Sequence, residues 1–240
     1  MALEMEVDED RPIMRKNRVS TGIDDLDVIL EGGYHWPANV MLMGPTGIEK
    51  SVFAYHFAAA ADPKNENVCF ICGDSSPEEV KKAAENFGIN LEKENIHFID
   101  CYSATLGGKK EVSSTEKITV LQSPSALNDL SLALNDVIRA SAGKKIRVVF
   151  HTLSTFVLYN PLESVGKFLN IIGGRLKGAS ATTLYIVEEG VHDKQILTIL
   201  QRGMDEVFVL EEKGGNFFLT VPRITMPLHV KLSASGMTVL

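Results

Sequence analysis

The chain has 240 residues, of which 45% are apolar, 23% charged and 7% aromatic, as in ordinary globular proteins. Its 24 basic and 31 acidic side chains give a formal net charge of −7, which argues against a protein whose main task is to grip nucleic-acid phosphates. No run approaches roughly 18 apolar residues, so the sequence predicts no membrane span. The acidic N-terminus also lacks the apolar core of a secretion signal, and we therefore expect a cytoplasmic protein.

The three cysteines include a C-x-x-C pair, Cys69 and Cys72, a spacing found in some metal and redox sites. The surrounding residues 68–72 form an apolar run that predicts a buried strand. Residues three apart on a strand point to opposite faces, which a shared metal site would not tolerate. We interpret these two cysteines and Cys101 as small core residues in a reducing compartment, and predict no metal site.

Taken in chain order, residues 1–17 are predicted to be a polar tail and residues 18–240 a single domain. Apolar runs predict strands at 39–43, 68–72, 96–101, 146–150, 183–187 and 207–210. Helical spacing or composition predicts helices at 51–61, 77–87, 127–138, 165–172 and 194–201. Residues 102–124 are polar and predict a surface loop. After residue 210 the pattern changes to hairpins, with Gly214–Gly215 as a turn.

The alternation of strands and helices predicts an α/β fold, in which helices on both faces cover a mainly parallel central sheet. The terminal hairpins predict antiparallel strands added to one edge of that sheet.

A glycine-rich segment, GPTGIEKS at residues 44–51, lies between a predicted strand and a predicted helix. That context is the one required for a phosphate-binding loop of the pattern G-x-x-x-x-G-K-[S/T]. In such a loop, backbone N–H groups and a helix N-terminus surround phosphates, a lysine reaches the terminal phosphates and a hydroxyl holds Mg²⁺. The candidate nucleotide-binding residues are Gly44, Pro45, Thr46, Gly47, Ile48, Glu49, Lys50 and Ser51. Glu49 stands where the pattern has its second glycine.

The residues before this loop narrow the choice of family. RVSTGI at residues 18–23, then Leu26-Asp27 and Gly32-Gly33, lead into the loop. Together the lead-in and the loop resemble the opening of KaiC-like proteins. These form the branch of RecA-type ATPases that includes archaeal RadA paralogues and the archaeal flagellar accessory ATPase. The resemblance covers about residues 18–240 and implies one RecA-like domain, with antiparallel hairpin strands at its C-terminal end.

The resemblance also implies two acidic positions that this chain has altered. KaiC-like proteins carry Glu-Glu before Ser/Thr-Pro at the end of the second core strand, where a carboxylate polarises the attacking water. This chain has Asp74 and Ser75 there. The family's magnesium-linked aspartate ends a later strand, and His151 occupies that position here.

These replacements weaken both binding and chemistry. At an effective dielectric near 20 and about 5 Å, each unit-charge pair between Glu49 and a phosphate costs roughly 3 kcal/mol, and half of that lowers affinity about tenfold. Mg²⁺ prefers oxygen ligands, whereas the imidazole of His151 suits zinc, copper or nickel. Asp74 reaches about one methylene less far than glutamate, and a general base must come within hydrogen-bond distance of its water.

The leading hypothesis is a catalytically inactivated KaiC-like pseudo-ATPase with a regulatory, signalling or scaffolding role. It would bind a protein partner such as an active relative, or form a homo-oligomer. Weak binding of ATP, ADP or another anion stays open, because most of the loop is present. One alternative is a divergent but active ATPase with Asp74 as base and Ser51 holding the metal. Another is a recombinase-paralogue-like module that binds single-stranded DNA. Trp36, on an aromatic turn, is predicted to contact a partner, to cover the nucleotide pocket or to pack on the core.

Overall fold

The computed structural model describes residues 17–47, 49–107 and 113–240. Within these ranges the strands are β1 (Arg18–Val19), β2 (Tyr34–His35), β3 (Ala38–Gly44), β4 (Glu66–Cys72), β5 (Ile96–Asp100), β6 (Ile118–Val120), β7 (Lys145–Phe150), β8 (Ala181–Glu188), β9 (Glu206–Lys213), β10 (Asn216–Thr220), β11 (Leu228–Ser233) and β12 (Gly236–Val239). The α-helices are α1 (Asp24–Ile29), α2 (Glu49–Ala59), α3 (Pro77–Glu85), α4 (Leu127–Ala140), α5 (Leu153–Tyr159), α6 (Leu162–Gly178) and α7 (Lys194–Gln201).

The central sheet has ten strands in the order β12-β11-β10-β9-β3-β8-β7-β4-β5-β6. All pairings from β9 to β6 are parallel, and those between β9 and β12 are antiparallel. Gly214 and Gly215 have φ of 61° and 76° and join β9 to β10 through a two-residue hairpin, with Lys213 opposite Asn216. Positive φ at both central residues is the requirement of the tight hairpin turn. The predicted fold class is therefore confirmed.

Two apolar cores lie on the two faces of the sheet. The first contains side chains of α1, α2 and α3, and the second contains those of α4, α5, α6 and α7. Cys72 belongs to the first core and Cys69 and Cys101 to the second. Burial raises the pKa of the Cys101 thiol to about 12. The three cysteines are free, buried core residues, as the alternation along a strand predicts.

The sequence patterns missed three kinds of element. Helix α1 is short, and α5 is rich in β-branched and aromatic residues, which are weak helix formers. Burial of Leu153 and Phe156 in the second core holds α5 in place. Strand β6 corrects the predicted surface loop at 102–124: three half-exposed residues become a strand by pairing with β5. A 3₁₀ turn, Ser103–Leu106, precedes it.

Some predictions fall on residues outside the described ranges. Residues 108–112 of the predicted surface loop lie outside them. Of the predicted tail at residues 1–17, only Asn17 is within the described ranges. Its carbonyl accepts a 3.0 Å hydrogen bond from the backbone N–H of Trp36. Across the described part of the chain, no helix has the length and hydropathy needed to cross a membrane.

Trp36 lies before β3, at the amino end of the strand that leads to the glycine-rich loop. Its indole N–H donates to the Ser180 carbonyl at 2.8 Å, and the ring packs against the first core. The Lys145 ammonium lies 4.0 Å from the ring centroid, a cation–π distance. Trp36 therefore packs on the core, and at the amino end of β3 it does not cover a pocket at the carboxyl end of that strand. A partner contact through its exposed part stays a prediction.

His56 joins α2 to the last hairpin. Its Nε2 accepts a 3.0 Å hydrogen bond from the Met237 N–H, which requires an unprotonated Nε2. Burial lowers the pKa of His56 below its usual 6.5, although a backbone hydrogen bond with Gly22 and the charge of Asp24 oppose this. Since the folded state prefers neutral His56, this stabilisation is complete above the ordinary pKa and is lost as the pH falls through the folded-state pKa.

We therefore expect the urea concentration at the unfolding midpoint to decrease as the pH is lowered from about 7.5 to about 5.5, and to decrease less in His56→Gln than in the wild type. Carboxylates stay ionised over most of this pH range, so they contribute little to the change. His97 and His192 also have pKa values lowered by burial and contribute in the same direction. An equal drop in both proteins would show that His56 does not contribute to the slope.

Candidate functional site

The glycine-rich loop follows β3, a strand that is buried along its whole length. A Cβ on Gly44 would lie 2.9 Å from the Leu210 carbonyl oxygen and 3.3 Å from Lys50 Cδ. The first of these contacts is closer than real Cβ atoms come to backbone, so only glycine fits. The loop therefore leaves the sheet where β3 and β9 are in close contact and turns directly into α2.

Lys50 is 2% exposed, and its ammonium donates a hydrogen bond to the Pro45 carbonyl within the loop. Burial lowers the pKa of Lys50, while the carboxylates of Glu188 and Glu49 act in the opposite direction. The amine that should reach phosphate is thus desolvated and directed at its own loop.

Glu49 is the first residue of α2. One of its carboxylate oxygens lies where a Cβ on Gly47 would stand, so the side chain folds back over the loop. Among the other predicted binding residues, Thr46 and Gly47 are exposed and Pro45 and Ser51 are half-buried. Ile48 lies outside the described residues. A negative charge at the start of a helix is favourable for the helix itself, but here it lies in the space above the loop.

Asp74 follows β4 and is about half exposed. Its Oδ1 accepts a 3.0 Å hydrogen bond from the Ser75 hydroxyl. Burial acts to raise the pKa of Asp74, but the nearby imidazole of His151 and the hydrogen bond from Ser75 outweigh it, and the pKa is lowered. Ser76 caps α3 in a capping box with Glu79, so the Ser-Pro element that follows Asp74 has a structural use.

His151 follows β7, the neighbour of β4, and its backbone N–H donates to the Ile71 carbonyl at 3.1 Å. The imidazole is stacked on Tyr55, 5.7 Å between centroids, and tilted against Phe70 at 5.4 Å. Its Nδ1 is 3.8 Å from Asp74 Oδ1, beyond hydrogen-bond distance. Within the described residues neither ring nitrogen has a hydrogen-bond partner. The structure thus brings the two altered acidic positions together.

These residues do not fit Mg²⁺. The site offers the Ser51 hydroxyl and the Asp74 carboxylate, and it places an imidazole between aromatic rings where a hard cation needs oxygen. In the described ranges, no group of three histidine, cysteine, aspartate or glutamate side chains is placed to hold a metal ion. Metal-assisted phosphoryl transfer requires the cation to be held against the phosphates, and the position that the resemblance assigns to a metal-linked aspartate carries His151 here.

Glu188 was missed by the sequence interpretation. It ends β8, which lies between β3 and β7, and it pairs in register with Gly44. The Glu188 N–H donates to Ser154 Oγ at 2.9 Å, and the Glu189 N–H donates to the Gly44 carbonyl at 2.7 Å. The only sequence signal is a pair of glutamates that closes an apolar strand. Its position beside the loop depends on the strand order.

Comparison with known proteins identifies relatives of this chain. The chain is 27% identical over 183 residues to a UPF0273 protein from Methanopyrus kandleri, a match that spans 75% of this chain and 71% of that protein. It is 28% identical over 181 residues to a UPF0273 protein from Thermotoga maritima, spanning 74% and 72% of the two chains. The crystal structure of a KaiC-like protein from Pyrococcus horikoshii superposes with a TM-score of 0.71 at 20% identity, over 93% of this chain and 98% of that one.

The structural match supports the RecA-like fold seen in the sheet order, the loop and the C-terminal antiparallel strands. A family model described as the KaiC ATPase matches residues 19–214, which include the lead-in from Val19 onwards, the glycine-rich loop and the strand ends that carry Asp74, His151 and Glu188. The chain therefore belongs to the KaiC ATPase family.

Proposed function

We propose that this chain is a KaiC-family protein that has lost ATP hydrolysis and acts as a regulatory or scaffolding partner of other proteins. The observation that carries the proposal is the environment of His151. An imidazole ring between Tyr55 and Phe70 stands at the strand end where the family's metal-linked aspartate belongs. Losing that carboxylate removes the metal's protein partner, on which charge neutralisation in phosphoryl transfer depends.

Two further features support the loss of hydrolysis. Asp74, the remaining candidate base, lies 3.8 Å from His151 Nδ1 and accepts a hydrogen bond from the Ser75 hydroxyl, so part of its capacity to accept a proton from water is already used. Lys50 is bonded to Pro45 inside the loop, so phosphate binding would first have to break that contact. Weak binding of ATP or ADP remains compatible with the backbone N–H groups of the loop and the start of α2.

Phosphate release from ATP tests the proposal directly. We expect the wild-type protein and Lys50→Met to release phosphate at the same background rate in the presence of Mg²⁺, because no Lys50-dependent turnover exists to lose. The Lys50→Met variant is the matched control for a contaminating ATPase, since it removes the loop cation without adding a charge. A rate that falls in Lys50→Met would contradict the proposal.

That contrary outcome would favour the second candidate function, a divergent active ATPase. The observation in its favour is the retained set of Lys50, Ser51 and a carboxylate, Asp74, at the carboxyl end of β4. In that case Asp74→Asn should abolish the Lys50-dependent rate, since the amide cannot accept a proton from the attacking water.

The regulatory part of the proposal concerns partners. A domain that keeps its fold without hydrolysis retains its surfaces, and we propose that they bind an active KaiC-family relative or a second copy of this chain. Size-exclusion chromatography of the purified protein, alone and mixed with such a relative, tests this by the elution volume. Single-stranded DNA is the competing partner, and salt-dependent retention on it would favour the recombinase-like alternative over a protein partner.

A further inference from the structure

The strand order places a second carboxylate beside the loop lysine. Gly44 and Glu188 are register partners in parallel strands, and such partners direct their side chains to the same face of the sheet. That face is the one covered by α2. Val40, Leu42 and Ile186 precede these two positions by two or four residues, so they share the same face, and all three lie in the first core. Glu188 therefore projects to the side of the sheet from which α2 supplies Lys50.

The Lys50 stem lies over the same point of the sheet. A Cβ on Gly44 would be 3.3 Å from Lys50 Cδ, so the lysine chain crosses the strand position that is paired with Glu188. The Glu188 backbone is fixed there by its bond to Ser154 Oγ, and the next residue is bonded to the Gly44 carbonyl. Burial lowers the pKa of Lys50, and the charge of Glu188 opposes this shift, with a smaller contribution from Glu49.

We propose that Glu188 is a built-in counter-ion of Lys50 that makes the loop discriminate against polyphosphate. This inference rests on the proposed function and deepens it, since it assigns the weak affinity to a residue outside the glycine-rich loop. Glu188 and Glu49 both act on the Lys50 ammonium, so an entering triphosphate would meet the charges of two carboxylates beside that cation. A less charged occupant of the loop is repelled less.

Isothermal titration with inorganic triphosphate in the presence of EDTA tests the inference without relying on hydrolysis or on a metal. We expect Glu188→Gln to raise the affinity about tenfold over the wild type, because it removes one close repulsion and frees Lys50. Glutamine keeps the size of the side chain, so the fold should be unaffected. The matched control is Glu189→Gln, which removes the same charge from the exposed next residue and should change the affinity less than twofold.

A double-mutant cycle with Lys50→Met tests whether the affinity gain of Glu188→Gln depends on Lys50. We expect the gain from Glu188→Gln to fall below about threefold when Lys50 is absent, since the counter-ion role requires the lysine. An undiminished gain without Lys50, an equal gain in Glu189→Gln, or no gain in Glu188→Gln would each overturn the inference. A lower affinity in Glu188→Gln would also overturn it.

Phosphate release measured separately on the same wild-type preparation reports on the proposed loss of hydrolysis. Lys50-dependent release together with a Glu188–Lys50 coupling would contradict the proposed function and leave the counter-ion assignment standing. If neither Lys50-dependent release nor a Glu188–Lys50 coupling is found, the counter-ion assignment is overturned and the proposed loss of hydrolysis stands.

Discussion

Arg147→Met should lower the free energy of unfolding by about 3–5 kcal/mol, because it leaves a buried carboxylate without its partner. Arg147 and Glu66 form an ion pair of 2.8 Å in which the side chains are 3% and 10% exposed. Arg147 Nη1 also donates to the carbonyls of Ser20 at 2.7 Å and Phe57 at 2.9 Å. One side chain on β7 therefore holds the lead-in segment and the end of α2 to the sheet.

Urea denaturation of Arg147→Met and of Arg139→Met measures this effect. Arg139 is the matched control, because it pairs with Asp136 on the surface, where the two side chains are 76% and 69% exposed, and such pairs contribute about 0–1 kcal/mol. Adding Glu66→Leu to Arg147→Met should recover part of the loss, since the orphaned charge is then gone. A loss below about 1 kcal/mol in Arg147→Met would contradict this account of the buried pair.

Glu49→Gly should raise the affinity for ATP about tenfold or more. Removing the carboxylate takes away roughly 3 kcal/mol of repulsion for each phosphate charge about 5 Å away, before screening and side-chain rotation reduce it. It also clears the space above Gly47 that the side chain fills. Glu49→Gln separates the two causes, because it removes the charge and keeps the volume. We expect its gain to lie between those of the wild type and Glu49→Gly.

The measurement is the shift of the unfolding temperature produced by ATP, compared with the same protein without ligand. The comparison must be made within each variant, because Glu49 is favourable at the start of α2 by about 0.3–1 kcal/mol and glycine is a poor helix former. Glu49→Gly should therefore unfold at a lower temperature without ATP and show the larger shift with it. Equal shifts in all three proteins would show that Glu49 does not limit binding.

Local sequence patterns determined much of the scaffold. The apolar run of β3, the glycine-rich loop and the following helix are successive in the chain, so the candidate loop residues could be found without the fold. Pro77 in the first turn of α3 and the glycine pair between β9 and β10 are equally local, because each fixes its own backbone geometry. The cysteines could be placed on opposite faces because side chains alternate along a strand.

The resemblance to KaiC-like proteins aligned Asp74 and His151 with the two acidic positions, but their contact depends on β4 and β7 being neighbours in the sheet. The role of Trp36 was open for the same reason. The chain before β3 does not show which end of the sheet it lies on, and the hydrogen bond to Ser180 joins residues distant in sequence. Strand β6 needed β5 beside it, since three half-exposed residues give too short a pattern to recognise.

The sequence by itself thus determined the α/β class, the loop and the chemical replacements in it, because each follows from residues close together in the chain. Only the tertiary structure decided which charges meet. Arg147 finds Glu66 because β7 lies beside β4, and Glu188 comes beside the loop because β8 lies between β3 and β7. Strand order is set by packing of the whole sheet between two cores, and no local pattern contains it.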